Sequence, residues 1–179
     1  VWEPAIQIAG ACFSVLRGRS LVIVIVIVIS AAMRYEEEEQ TEGGLEAEAE
    51  LTEALKNGRK AMTDATIAAV SAAVPLIFQV GATSTENAVV LARYASAAGA
   101  DAIASVAPVN HPNDLQAAVQ HYAAIGSATD KPFYVYWIAQ TADATITAEQ
   151  YLEAMEAVPN FSGLKFTDSN FYFFQRLVD

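Results

Sequence analysis

Pro75-Leu76-Ile77-Phe78-Gln79-Val80-Gly81 is a short apolar run closed by a glycine, and Thr83-Ser84-Thr85-Glu86 follows it at once with side chains able to cap a helix. An apolar run of this length bounded by turn residues reads as a buried strand, and hydroxyl residues ahead of an acid read as a helix start. Ala88, Leu91, Ala92 and Ala95 then recur at helical spacing, and Gly99 stands where a terminating glycine belongs. Together they make one βα unit.

The same design repeats toward the carboxyl end. Ala102 to Val106 reads as a strand and Pro108 to Pro112 as a loop, and Leu115, Ala118, Val119, Tyr122 and Ile125 form one face of a helix. Thr129-Asp130-Lys131-Pro132 turns the chain into a third strand, Phe133 to Ile138. A helix opened by Thr147-Ala148-Glu149-Gln150 follows, with capping-box spacing. Pro159-Asn160 ends it, and Phe161 to Phe166 is the fourth strand. Strand starts near 75, 102, 133 and 161 recur about every 30 residues, the length of one unit of a parallel sheet with right-handed crossovers. Such units build either an eight-unit (β/α)8 barrel or an open doubly wound sheet, and in both the ligand sits at the carboxyl ends of the strands. No Gly-x-Gly-x-x-Gly follows any strand, so a dinucleotide site has no support.

The 179 residues are 54% hydrophobic and 17% charged, an ordinary balance for a globular domain. A net charge of −11, with no basic cluster beyond Arg17-Gly18-Arg19, argues against a nucleic-acid partner. The single cysteine, Cys12, cannot form an internal disulfide and is compatible with a reducing compartment. His111 and His121 are too few and too isolated for a metal triad and are assigned to a loop and a helix surface.

Phe161-Ser162-Gly163-Leu164-Lys165-Phe166-Thr167-Asp168 places one lysine inside a stretch that reads as a strand buried on both faces. Burial penalises the ammonium form, and a neutral amine can attack a carbonyl to form a Schiff base. The ordinary alternative is a lysine that lays its stem over apolar surface with its ammonium in water. Tyr134 and Tyr136 share one face of their strand, as do Lys165 and Thr167, so phenol and amine could meet. Taken alone, Tyr136 reads as a core aromatic with a satisfied hydroxyl; its pairing with Lys165 is what suggests more.

Gly81-Ala82-Thr83-Ser84-Thr85, Ala98-Gly99-Ala100-Asp101, Tyr136 and Gly163-Leu164-Lys165-Phe166-Thr167-Asp168 fall in the order and spacing of a known family. The chain resembles the pyruvate-dependent class I aldolases, the superfamily of N-acetylneuraminate lyase and dihydrodipicolinate synthase, over roughly residues 59 to 179. The resemblance implies a TIM barrel with Lys165 as the Schiff-base lysine, Tyr136 as the proton shuttle and Thr167 as a substrate-binding residue. It implies a carbon–carbon lyase cleaving a sialic acid to pyruvate and N-acetylmannosamine, with no metal or organic cofactor. Dihydrodipicolinate synthase-like condensation, another 2-keto acid aldolase reaction and a non-catalytic barrel fragment are the alternatives. The partner expected is a small 2-keto acid or sialic acid, with no nucleic acid and no membrane. The expected assembly is a homotetramer in the cytoplasm.

The chain departs from the family pattern at three places. Ala139-Gln140-Thr141-Ala142-Asp143 stands where the family carries Pro and Thr-Gly, and Pro108-Val109-Asn110-His111 stands where it often carries aromatics. No Gly-Thr-Thr-Gly-Glu loop for the substrate carboxylate is recognisable; Thr41-Glu42-Gly43-Gly44 has the wrong order. Residues 51 to 61 resemble the helix that follows that loop. Residues 1–50 form an atypical N-terminal segment ahead of a partial barrel at 51–179. Leu21 to Ile29 suits a strand buried on both faces. Counted through Met33, the apolar run of about 13 residues is short of the roughly 20 that span a bilayer, although Arg17 and Arg19 ahead of it keep a targeting or tethering reading open. The acidic tract from Glu36 to Glu50 reads as a solvated helix face or as disorder. Eight units need about 250 residues, so the 179 residues are expected to be a fragment.

Overall fold

Four strands form where the punctuation places them. The computed structural model describes residues 24–26, 44–70, 75–108, 110–138 and 145–178. In chain order the elements are β1 (Val24–Val26), α1 (Gly44–Val70), β2 (Leu76–Gln79), α2 (Thr85–Ala98), β3 (Ala102–Ser105), α3 (Leu115–Gly126), β4 (Phe133–Ile138), α4 (Ala148–Met155), β5 (Phe161–Thr167) and α5 (Phe171–Val178). The caps form as the side chains require. Ser84 accepts from the Asn87 N–H, Gly99 ends α2 at φ 111°, and Thr147 with Gln150 closes a full capping box.

The five strands are parallel and lie in the sheet in the order β1-β2-β3-β4-β5. A doubly wound sheet reverses its strand order at a switch point, whereas a barrel adds each strand beside the last. The sequential order is therefore an arc of barrel. Side chains alternate across it: Phe133, Val135 and Trp137 are buried against the helices, and Tyr134, Tyr136 and Ile138 are half-buried on the inner face. Leu76, Phe78, Ile103, Phe133 and Val135 join Leu91, Ala95, Tyr122, Ile125 and Met155 in one core between sheet and helices. On the inner face, Ile77, Ala102 and Ala104 form a smaller cluster against which Tyr134 packs.

One expectation of burial changes. β5 ends the sheet order and its residues are half-buried or exposed, so it is not buried on both faces. Its apolar side chains Phe161, Leu164 and Phe166 pack on the core, while Lys165 alternates to the other face. Within the Leu21–Ile29 run, Val24–Val26 form a strand that pairs in parallel with Leu76–Phe78, at the opposite end of the described sheet. The rest of that run, the residues around Arg17 and Arg19, and the acidic tract as far as 43 lie outside the described residues. Helix α1 runs through residue 50 without interruption. Among the described residues no helix is long and apolar enough to cross a membrane.

The end of α3 is docked on the turn before β5. Asn160 adopts φ 60°, donates from Nδ2 to Gly126 O at 3.1 Å and to Thr129 O at 2.8 Å, and accepts from Phe133 N at 2.8 Å. A methyl group at Gly126 would lie 2.3 Å from Pro159 O, a backbone atom that this network holds in place. Gly126→Ala is thus expected to cost about 2–3 kcal/mol through overpacking that no side chain can relieve. Chemical denaturation of the variant measures it, and a midpoint equal to wild type would contradict the docking.

Candidate active site

Strand β5 brings its lysine to the inner face through a local irregularity. Phe133 pairs with Phe161, but the next residue, Tyr134, pairs with Gly163, so Ser162 is an extra residue accommodated as a bulge. Gly163 has φ 142°, which a residue with a Cβ rarely adopts. Beyond it the register is regular. Tyr136 faces Lys165 and Ile138 faces Thr167.

The three residues expected in the site meet. Lys165 Nζ lies 3.8 Å from the centroid of the Tyr136 ring and donates to Thr167 Oγ1 at 2.8 Å. An ammonium over a phenol ring is a cation–π contact, so it is the ring face of Tyr136, rather than its hydroxyl, that meets the amine. Lys165 is half-buried and its bond to Thr167 is open to solvent, so the enclosure expected from an apolar strand is only partial. The strand end beyond it is tied down: Asp168 accepts from Trp137 Nε1 at 3.2 Å and from Asn170 N at 3.0 Å, which starts the turn into α5. The arrangement presents a primary amine, a phenol and a hydroxyl on one face near the carboxyl ends of adjacent parallel strands. A carbonyl compound could be attacked there while its polar groups are bound.

Two polar groups, one half-buried and one buried, had no role in the sequence reading. Arg59 of α1 reaches the carboxyl end of β2, donating from Nη1 to Gly81 O at 2.7 Å and from Nη2 to Gln79 O at 2.6 Å. Burial lowers its guanidinium to about 10, which leaves it charged at neutral pH. His121, assigned to a helix surface, is instead buried, 2% exposed. The signal was present in the spacing: His121 falls three residues after Ala118 and four before Ile125, on the face of α3 that enters the core. Its Nδ1 lies 2.9 Å from Thr85 Oγ1 and its Nε2 3.2 Å from Ser105 Oγ, which itself donates to Val106 O at 2.8 Å. This chain of donors fits a neutral imidazole with the proton on Nε2. His111 is exposed in the loop before α3.

Burial lowers the His121 imidazole to about 4, with Glu86 opposing weakly. An imidazole depressed in the fold and near 6.5 in the unfolded chain adds stability above pH 6.5. That stability is lost as pH falls from there toward 4, because the unfolded chain binds the proton first. The loss approaches roughly 3 kcal/mol at about 1.4 kcal/mol per pH unit. His121→Gln should flatten the stability difference between pH 7 and pH 4 by that amount in urea titrations. Parallel pH curves for variant and wild type would contradict it.

A cleft of about 430 Å³ opens between the start of α2 and the loop before α3, lined by Thr83, Ser84, Glu86, Asn110, His111 and Gln120 among others. None of Lys165, Tyr136 and Thr167 lines it, so this cleft is separate from the chemistry. Among the described residues no three His, Cys, Asp or Glu side chains are grouped as a metal would need. The departures at 139–143 and at Thr41–Gly43 lie outside the described residues.

The chain is similar to known proteins in sequence and in fold. The profile of the dihydrodipicolinate synthetase family matches residues 50–179. An uncharacterised DapA-like lyase of Halobacterium salinarum is 33% identical over 121 residues, covering 68% of this chain and 40% of the relative. An N-acetylneuraminate lyase of Clostridium perfringens is 32% identical over 104 residues, covering 58% of this chain and 36% of the relative. The crystal structure of CdNal from Clostridium difficile in complex with mannosamine superposes with a TM-score of 0.62 at 27% identity, over 68% of this chain and 42% of that one. The chain thus spans about two fifths of the length of the relatives it matches.

Proposed function

The chain belongs to the dihydrodipicolinate synthetase family, and from that premise we propose that it carries the Schiff-base half of a class I aldolase or lyase acting on a 2-keto acid. The observation that carries the reading is Lys165 facing Tyr136 on the neighbouring strand, its Nζ over the ring and bonded to Thr167. The Lys165 amine attacks the ketone carbon, and the carbinolamine loses water to leave an iminium. That iminium withdraws electrons from the bond between its α and β carbons, the β carbon being the one that bears the hydroxyl. Tyr136 takes the proton from the hydroxyl beside that bond as it breaks, releasing an aldehyde and leaving an enamine on Lys165. Protonation and hydrolysis of the enamine return pyruvate and the free amine. Thr167, already bonded to Nζ, exchanges that bond for one to the substrate. No metal or organic cofactor takes part.

Within this scheme the sialic acid reading, cleavage of N-acetylneuraminate to pyruvate and N-acetylmannosamine, is favoured by Phe166-Thr167-Asp168 and by the lack of arginine in residues 139–144. The lyase relative supports it. Condensation of pyruvate with an aldehyde, as the family's description implies, is the second reading. The whole protein is proposed to be a cytoplasmic homotetramer. Incubation with N-acetylneuraminate followed by chromatography for N-acetylmannosamine tests the first reading. Absence of the amino sugar from a sample that still forms a pyruvate imine would reject it in favour of condensation.

A further inference from the structure

Tyr134 and Lys165 lean across the β4/β5 pair in opposite directions. Lys165 rises from β5 and places its Nζ over the ring of Tyr136 on β4. Tyr134 rises from β4 and lays its ring over Gly163 on β5: a Cβ built there would sit 3.4 Å from Tyr134 Cε1 and 3.6 Å from Cδ1. Gly163 and Lys165 are two residues apart and so share a face, which makes the ring over Gly163 the next group along that face from the lysine. Two of the ring's other neighbours are alanines. Across the sheet Tyr134 pairs with Ala104 on one side and Gly163 on the other, and it packs on Ile77, Ala102 and Ala104. The smallest residues on both flanks make a slot that one aromatic ring fills.

We propose that Tyr134 is the positioning residue of Lys165: its ring closes the slot over Gly163, so the lysine's four-carbon stem is held toward the strand ends with its amine over Tyr136 and beside Thr167. An empty slot would let the stem fold down over Gly163, drawing the amine away from both partners. The inference deepens the Schiff-base reading and rests on it for its catalytic consequence. Its structural core needs no substrate.

A ring current shields protons held over an aromatic face, so the Lys165 ε-methylene reports the position of the amine in NMR spectra of the full chain labelled at lysine. Lys165→Arg identifies the signal by its loss. In wild type and in Tyr134→Phe, which keeps the ring, the Lys165 signal is expected upfield of those of Lys56 and Lys131, neither of which lies over a described ring. In Tyr134→Ala, or in Tyr134→Leu should the alanine variant not fold, it is expected to join them. An upfield signal that persists in a folded variant lacking the ring overturns the proposal, as does a wild-type signal that is not shifted. Trapping of a pyruvate imine by borohydride should then slow about 10- to 100-fold in the ringless variant at saturating pyruvate, the scale of a misplaced reactive group. Half-saturating pyruvate should be unchanged. If wild type forms no imine, the Schiff-base reading fails while the NMR outcome still judges Tyr134.

Discussion

Lys165→Ala is expected to abolish borohydride-trapped adduct with pyruvate and to lower any carbon–carbon cleavage by roughly 10³-fold or more, the scale on which covalent catalysis collapses without its nucleophile. No other lysine described stands where Lys165 does. Lys56 pairs with Glu53 and Lys60 lies over Tyr94, both on or beside α1, and Lys131 sits in the turn before β4. The fold should tolerate the change. Lys165 is half-buried and its hydrogen bond to Thr167 is solvent-exposed, so its removal should cost no more than about 1 kcal/mol. Mass spectrometry of the trapped protein and a urea titration of the same sample separate loss of chemistry from loss of structure. Undiminished adduct in Lys165→Ala would move the nucleophile elsewhere.

Tyr136→Phe is expected to do something different. The ring that holds the ammonium remains, so imine formation with pyruvate should persist within a few-fold. Only the phenolic oxygen is lost, and with it the proton transfer assigned to the cleavage step, worth about 10²- to 10⁴-fold. Adduct yield and turnover should therefore part company. Tyr136→Leu, which removes the ring as well, should depress both. Equal loss of both in Tyr136→Phe would mean that Tyr136 supports the strand pair rather than the reaction.

The sequence carried the barrel arc in local signals. Apolar runs of strand length, Gly81 and Gly99 as punctuation, and the caps at Ser84 and Thr147 act within a few residues, and all of them formed. Sheet order and exposure are set by distant partners and were not legible. Lys165 sits in an apolar octapeptide that reads as enclosed, but β5 ends the sheet and one side of it pairs with no other described strand. The bulge at Ser162 was hidden as well, because a single extra residue leaves no mark in an apolar/polar pattern. Even so, Lys165, Tyr136 and Thr167 came together, since the alternation that put Tyr136 and Lys165 on inner faces survives the bulge. His121 was misplaced by judging the residue type before its helical position. Helix α5, with Phe171 and Tyr172 exposed on it, carries no periodic signal long enough to announce itself.

The most direct measurement is to incubate the folded chain with pyruvate, reduce with borohydride, digest, and locate the modification by tandem mass spectrometry. A single adduct on Lys165, with Lys56, Lys60 and Lys131 unmodified, is the predicted result. A folded chain that yields no adduct, or one whose adducts are scattered over its exposed lysines, would contradict the assignment of Lys165 as the reactive amine.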